Sequence, residues 1–169
     1  MMNKDIKGIE NPRVALISDA TYFDTVQYII AKSNKVCWAS LFIVELKSGS
    51  SDPDIKVFQV LRLLKEAQWR GVDVKLLIGG SRDNVQIAES SEVARSVAIN
   101  MGLDCKWITS SDVRGSHCKL VIADNMVLTG SHNWSAPAFT NQIQDSLLVD
   151  SSAMAAYSQR IFYNQWNRK

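Results

Sequence analysis

Along this chain the apolar residues switch repeatedly between strand-like runs and helical stripes. Residues 14–17 are a short apolar run after Pro12 and predict a buried strand. Ser18 or Asp19 offers a helix cap ahead of residues 22–32, where Phe23, Val26, Ile29 and Ile30 fall on one stripe. Residues 36–46, a long apolar run with Glu45 near its end, predict a central strand, and 47–52 read as a flexible Ser/Gly loop. The clearest helix follows. Asp52-Pro53-Asp54 supplies cap chemistry, Ile55, Phe58, Leu61, Leu64 and Ala67 recur near helical period, and Gly71 closes the element. Residues 72–78 predict a third strand ending at Gly79-Gly80-Ser81, 91–101 a helix stopped by Gly102, and 103–108 a short strand. A polar loop, 109–116, leads to two apolar runs on either side of Asp124-Asn125; a strand at 147–149 and a helix at 153–166 complete the pattern. Strands alternating with helices predict an α/β fold: a three-layer sandwich whose mixed, mostly parallel β-sheet is flanked by helices, with an antiparallel hairpin at 117–134.

Composition narrows the class without naming a partner. The 169 residues suggest one domain over 1–169, with 1–12 expected to be flexible, and 46% hydrophobic with 21% charged residues is a globular balance. A net charge of +2 is too small to argue for nucleic acid by itself. Cys37, Cys105 and Cys118 lack C-x-x-C spacing, so neither a disulfide framework nor a zinc site is expected. The polar, charged opening residues lack a signal-peptide core, and no apolar run approaches the ~18 residues of a membrane span. A cytoplasmic protein without stable membrane association is the expectation.

Candidate chemistry concentrates in the hairpin. His117, Lys119, Ser131 and Asn133 occupy odd positions, and strand side chains alternate faces with period two. Pairing about Asn125 sets His117 opposite Asn133 and Lys119 opposite Ser131, so a base, a cation, a hydroxyl and an amide meet on one patch able to grip and attack a phosphate. That register needs an odd connection, with three residues, 124–126, the simplest version; a two-residue turn at Asp124-Asn125 would face Ser131 and Asn133 the wrong way. Lys119 lies in a strand too apolar to accept an unpaired ammonium readily, and a bound anion supplies a reason for it. Asp124 reads as a structural turn residue holding local backbone. His132 alternates away from the patch and reads as structural, and Trp134 as core. Gly79-Gly80-Ser81 lacks nucleotide-loop spacing and reads as a turn, though its place after a strand could put it at the rim of a site.

The run His117-x-Lys119-x4-Asp124, followed by Gly130-Ser131-x-Asn133, resembles the HKD motif of the phospholipase D superfamily. The resemblance implies a phospholipase D-like fold and phosphodiester chemistry. His117 would attack phosphorus to form a phosphohistidine, with Lys119, Ser131 and Asn133 binding the equatorial oxygens. The superfamily sets two such motifs face to face, so one motif in 169 residues implies a homodimer, with one His117 as nucleophile and the other as acid/base. No cofactor and no metal are expected, because no Asp, Glu, His or Cys cluster shows ligand spacing. Two departures stand out. Five residues separate Asp124 from Gly130 where the family usually has six, and where the family carries a Glu about eleven residues past the motif Asn this chain has Gln144 and Asp145. Aligning the apolar run 147–149 makes Asp145 the stand-in, the candidate acceptor that fixes the His117 tautomer. The small single-motif members resembled point to a metal-independent endonuclease acting on DNA or RNA. The alternatives are a lipid phosphodiesterase and a phosphate-backbone binding module with weak turnover.

Overall fold

The computed structural model describes residues 12–47, 55–79, 85–108 and 116–168. The expectations for residues 1–11, for the Ser/Gly loop beyond Lys47 with the Asp52-Pro53-Asp54 cap, for Gly80-Ser81 and for most of the 109–116 loop lie outside them. The strands are β1 (Arg13–Ser18), β2 (Val36–Leu41), β3 (Asp73–Ile78), β4 (Asp104–Trp107), β5 (Lys119–Ala123), β6 (Met126–Gly130) and β7 (Asp145–Asp150). The helices are α1 (Thr21–Lys32), α2 (Ile55–Trp69), α3 (Val85–Asn100) and α4 (Ser152–Trp166). None is long and apolar enough to cross a membrane. α3 begins six residues earlier than its periodicity suggests, because Glu89, Ser90 and Ser91 interrupt the stripe on its first turns.

The strands form one seven-stranded sheet ordered β1-β7-β6-β5-β2-β3-β4. The sheet is mixed, as expected: five strands point the same way, and β5 and β7 run against them. Because those two are interleaved, only β2–β3 and β3–β4 pair in parallel, and the other neighbours are antiparallel. Helices α1, α2 and α3 pack on one face over a core that includes Ile29, Leu61, Leu76 and Val121. On the other face α4 covers Leu77, Ile122 and Val127 through Ala155 and Phe162. This is the expected three-layer sandwich. In β5 the alternation is clean: Val121 and Ala123 face the α1–α3 layer, Leu120 and Ile122 face α4.

Three local expectations are corrected. First, the hairpin closes with a two-residue turn, since Ala123 pairs with Met126 and Leu120 with Thr129. Asp124 dictates this. It adopts φ +51°, its N–H donates to the Val36 carbonyl at 3.0 Å, and its carboxylate accepts N–H bonds from Asn34, Lys35 and Val36 at 2.8–2.9 Å. The carboxylate therefore holds remote backbone, at the start of β2, rather than local backbone. Second, β2 stops at Leu41. Beyond it the chain leaves β3 and follows the segment after β6, with Trp134 N–H donating to the Ile43 carbonyl (3.1 Å) and Glu45 N–H to the Trp134 carbonyl (2.8 Å). Val44 and Leu46 stay buried on this path, so the sequence still reads as one apolar run. Third, neither Ser18 nor Asp19 caps α1, whose N-cap position is Ala20. Both side chains are committed to the start of β7: Ser18 Oγ donates to Asp145 (2.6 Å) and the Gln144 N–H donates to Asp19 (3.0 Å).

Candidate active site

All seven strands bring an end to the same edge of the sandwich. Ser18, Leu41, Ile78, Trp107 and Gly130 are the last residues of their strands there, while Lys119 and Asp145 are the first of theirs. Ligands collect at such carboxyl ends in open α/β sheets. His117 enters this edge one residue pair before β5. A Cβ on Gly79 would collide with the Ser116 carbonyl, so glycine is required there for the chain to approach. Gly79 follows the last residue of β3 and lies at this edge, against the residue that precedes His117; the rest of its loop is outside the described residues.

His117 is exposed and Lys119 is 8% exposed. The Lys119 Nζ lies 3.2 Å from His117 Nδ1 and 3.4 Å from Nε2, and it donates to the His117 carbonyl at 3.1 Å. Phe42 packs under both, its ring centroid 4.6 Å from the imidazole and 5.1 Å from the ammonium. Burial pulls Lys119 below the ordinary lysine value, against an upward pull from Cys118. Among the described residues no carboxylate pairs with it. A cation held in place without an anion is a receptor for one.

Asn133 reaches the same neighbourhood by a different route: its Oδ1 accepts the Ile43 N–H at 3.3 Å. Phe42 and Ile43 therefore link the two halves of the motif, one by its ring and one by its backbone. Ser131 follows the last residue of β6, where ladder alternation no longer governs facing. Its Oγ donates to the Asp145 carbonyl and accepts the Asp145 N–H, both at 3.1 Å. The Asp145 carboxylate accepts from Ser18. So the structure brings together His117 with Lys119, and Ser131 with Asp145, at neighbouring strand ends. Gly130 is required by the second pairing, since a Cβ there would collide with the Asp145 carbonyl and with Ser146.

Behind the surface, His132 is fully buried, stacked on Tyr22 (centroids 4.2 Å, interplanar 1°), with Nδ1 2.8 Å from Ser146 Oγ. Trp134 is fully buried, as core. Cys118 is half-buried and takes a weak bond from Gln165 of α4 (3.6 Å). The other two thiols are buried, and burial pushes Cys37 and Cys105 up to about 12, which keeps them unreactive. Among the described residues no group of three or more His, Cys, Asp or Glu could hold a metal ion. A groove of about 250 Å³, lined by Ile43, Glu45, Gln86, Ser90, Asn133 and Gln142 among others, opens beside Asn133. It continues along α3 into a second hollow of about 530 Å³ that Glu45 and Glu89 border. Sequence reasoning missed Phe42, Ile43 and Ser18; each comes from another strand end, and only the three-dimensional pairing reveals it.

A mixed seven-stranded sandwich with a His-x-Lys pair at the carboxyl edge of its sheet defines a phospholipase D-like phosphodiesterase domain. Residues 28–166 match the family model described as cardiolipin synthase, PLD-like domain, and the chain belongs to this family. No curated protein matches the sequence significantly. Among solved structures, the chain is similar to a phospholipase D family member, Nuc from Salmonella typhimurium, at 24% identity and TM-score 0.71, covering 94% of this chain and 96% of that one. NucT from Helicobacter pylori is 14% identical with TM-score 0.67, covering 92% and 96%. Phosphatidylserine synthase from Haemophilus influenzae is 12% identical with TM-score 0.64, covering 90% of this chain and 36% of that one.

Proposed function

We propose that the protein is a metal-independent endonuclease that cleaves DNA or RNA through a phosphohistidine in a site shared by two subunits. The observation that carries this reading is the Lys119 ammonium, buried without a carboxylate partner among the described residues and set against the His117 ring. A phosphodiester supplies the missing anion. A ring nitrogen of His117 attacks phosphorus, the phosphorus–oxygen bond to the leaving group breaks, and the partner's His117 gives that oxygen a proton. The same group then takes a proton from water, which attacks the phosphohistidine and restores free His117. Lys119 and Asn133 stabilise the equatorial oxygens. Ser131 and Asp145 take their proposed parts, phosphate donor and imidazole acceptor, only by releasing the Asp145 carbonyl and the Ser18 hydroxyl that they hold in this structure.

The two-subunit site follows from the chemistry, since the steps need two histidines and the chain's other histidine is buried against Tyr22. Val14, Leu16 and Leu147 are exposed apolar residues, with Leu16 and Leu147 paired across β1 and β7, and a second copy would cover such a surface. The fold shared with Nuc, a phospholipase D family member, over nearly the full length of both chains goes with phosphodiester chemistry, and a cytoplasmic setting is part of the proposal. A lipid diester is the second reading, supported by the family model's description and by the likeness to phosphatidylserine synthase.

Activity on plasmid, single-stranded DNA, RNA, phosphatidylcholine and bis-p-nitrophenyl phosphate, with and without EDTA, tests the reading, with sedimentation at assay concentration. Nucleic-acid cleavage that survives EDTA, a dimer, and base-stable phosphate trapped on His117 are expected. Loss of turnover with EDTA and its return with magnesium would overturn the mechanism. Turnover of phosphatidylcholine alone would overturn the substrate, and a fully active monomer the shared site.

A further inference from the structure

Resting on the phosphodiesterase reading, we propose that the groove beside Asn133 is a subsite for the nucleobase next to the scissile phosphate. Its walls come from three places: Ile43 and Glu45 on the extension of β2, Gln86 and Ser90 on α3, and Asn133 and Gln142 after β6. The Leu46 N–H donates to the Ser90 carbonyl at 3.3 Å and fastens α3 to that extension, so the groove is part of the fold.

Bond accounting shows what the groove can hold. Asn133 Oδ1 is taken by the Ile43 N–H, which leaves two Nδ2 protons, one for the phosphate and one for the groove. Gln142 Oε1 is taken by the Gln144 amide, which leaves its own Nε2 protons. Gln86 contributes an amide, and Glu45 contributes carboxylate oxygens, one of them 3.7 Å from the Lys47 ammonium. Ile43 and Pro137 supply apolar surface. Donors, acceptors and an apolar floor within one base-sized space match a nucleobase, whose edge carries carbonyl and amino groups and whose faces are apolar.

Charge sets the direction of the rest of the substrate. Glu45 and Glu89 outnumber Lys47 along the larger hollow, where Lys47 pairs with Glu45 at 3.7 Å, so a continuing phosphate backbone would meet a net negative wall. A neutral base would not. A quaternary ammonium headgroup fits less well, because among the described residues no aromatic ring lines either hollow to form the cage that recognises such groups. The substrate strand therefore turns one base into the groove and carries its backbone away from α3, which requires that base to be unpaired.

Chromogenic diesters test this directly. Thymidine 3′- and 5′-p-nitrophenyl phosphates are compared with the same diesters lacking the base, with p-nitrophenyl phosphorylcholine and with bis-p-nitrophenyl phosphate. The base is expected to raise kcat/KM about tenfold in one isomer, the scale of one or two net hydrogen bonds. In Gln86→Ala and in Gln142→Ala the ratio of base-bearing to abasic substrate should fall toward one; read within each variant, the ratio is insensitive to a general loss of activity. Hydrolysis of bis-p-nitrophenyl phosphate with no gain from the base in either isomer would overturn the subsite alone. A gain from choline in place of the base would replace it with a headgroup pocket. A base effect that both variants retain would place the base elsewhere. Hydrolysis of none of the diesters would remove the phosphodiesterase reading and the subsite with it.

Discussion

The two ends of the β5–β6 hairpin each hold a charged side chain, and the contrast between them separates structure from function. At the turn, Asp124 receives three backbone N–H donors. Burial alone would raise its carboxyl, but the N–H bonds from Val36, Asn34 and Lys35, with the Lys35 charge, hold it below the usual value. Its bonding capacity is spent inside the protein. At the other end Lys119 is buried against a ring, a carbonyl and an imidazole, with no counter-charge among the described residues. A buried ion without a partner costs several kcal/mol. A charge fully satisfied within the chain reads as architecture; one held in deficit reads as a place kept for a ligand.

The largest effects should come from the deficient end. His117→Ala removes the attacking group and should lower turnover on the order of 10⁴-fold or more, the scale of nucleophile deletions. Lys119→Met keeps the stem packed on Phe42 but removes the charge. It should cost on the order of 100- to 1000-fold in kcat/KM while leaving the protein at least as stable as the wild type. Because folding pulls the Lys119 pKa below its unfolded value near ~10.4, the unfolded chain binds that proton more tightly. Wild-type stability should then gain from this group as pH rises toward that value, and Lys119→Met should lack the gain. Denaturant unfolding alongside kinetics checks both, and a variant that loses stability and keeps activity would break the comparison.

The turn should respond in the opposite way. Asp124→Asn keeps the shape but offers weaker acceptance to three N–H groups, so the protein should lose about 2 kcal/mol with kcat/KM per folded molecule little changed. The sign with pH follows from the depressed carboxyl. Its contribution is present above the unfolded value near ~3.9 and is lost as pH falls through the folded value, so the gap between wild type and variant should close in acid, below about pH 4. Chemical denaturation at neutral and acid pH measures it. A gap that persists unchanged in acid would assign the loss to packing rather than to the carboxylate.

Much of the fold is legible in the sequence because periodicity is a local signal. The β1 run, the α2 stripe and the apolar stretches of β3 and β5 are set by which side chains face the core. The motif is legible for the same reason, as ordered residue types inside apolar strands. The hairpin register is not, because alternation holds only within a strand, and β6 ends at Gly130 while Asp124 answers to the distant start of β2. The supports of the site escape sequence reading on similar grounds. Phe42 and Ile43 lie some 75 to 90 residues from the groups they join, and nothing local to them signals that role. Asp145 illustrates a middle case: the β7 run marks its position, while its bonds to Ser18 and Ser131 become visible only once β1, β6 and β7 are side by side.

The smallest effect expected on activity belongs to His132, which sharpens the comparison because it lies between the motif residues Ser131 and Asn133. Its ring stacks on Tyr22 and its Nδ1 meets Ser146, and no substrate can reach a fully buried group. His132→Phe preserves the stack and removes the bond, which leaves the Ser146 hydroxyl unpaired. A loss of about 1 kcal/mol at pH 8, with most activity retained, is expected. Burial pulls the imidazole below its ordinary value, opposed by the Asp19 carbonyl and by the charges of Asp19 and Asp145. The unfolded chain therefore takes up this proton first, near pH ~6.5, so the contribution of His132 is whole above that value and is lost as pH falls toward the folded one. Tyr22 and Ser146, the other groups against the ring, do not titrate in this range. Wild-type stability should fall more steeply than that of His132→Phe between pH 7 and 5, as read by thermal or urea unfolding at several pH values. Parallel curves would mean that His132 stays protonated or unperturbed in the fold. A 100-fold fall in turnover at pH 8 would bring His132, whose buried Nε2 has no hydrogen-bond partner among the described residues, into the machinery beside Lys119.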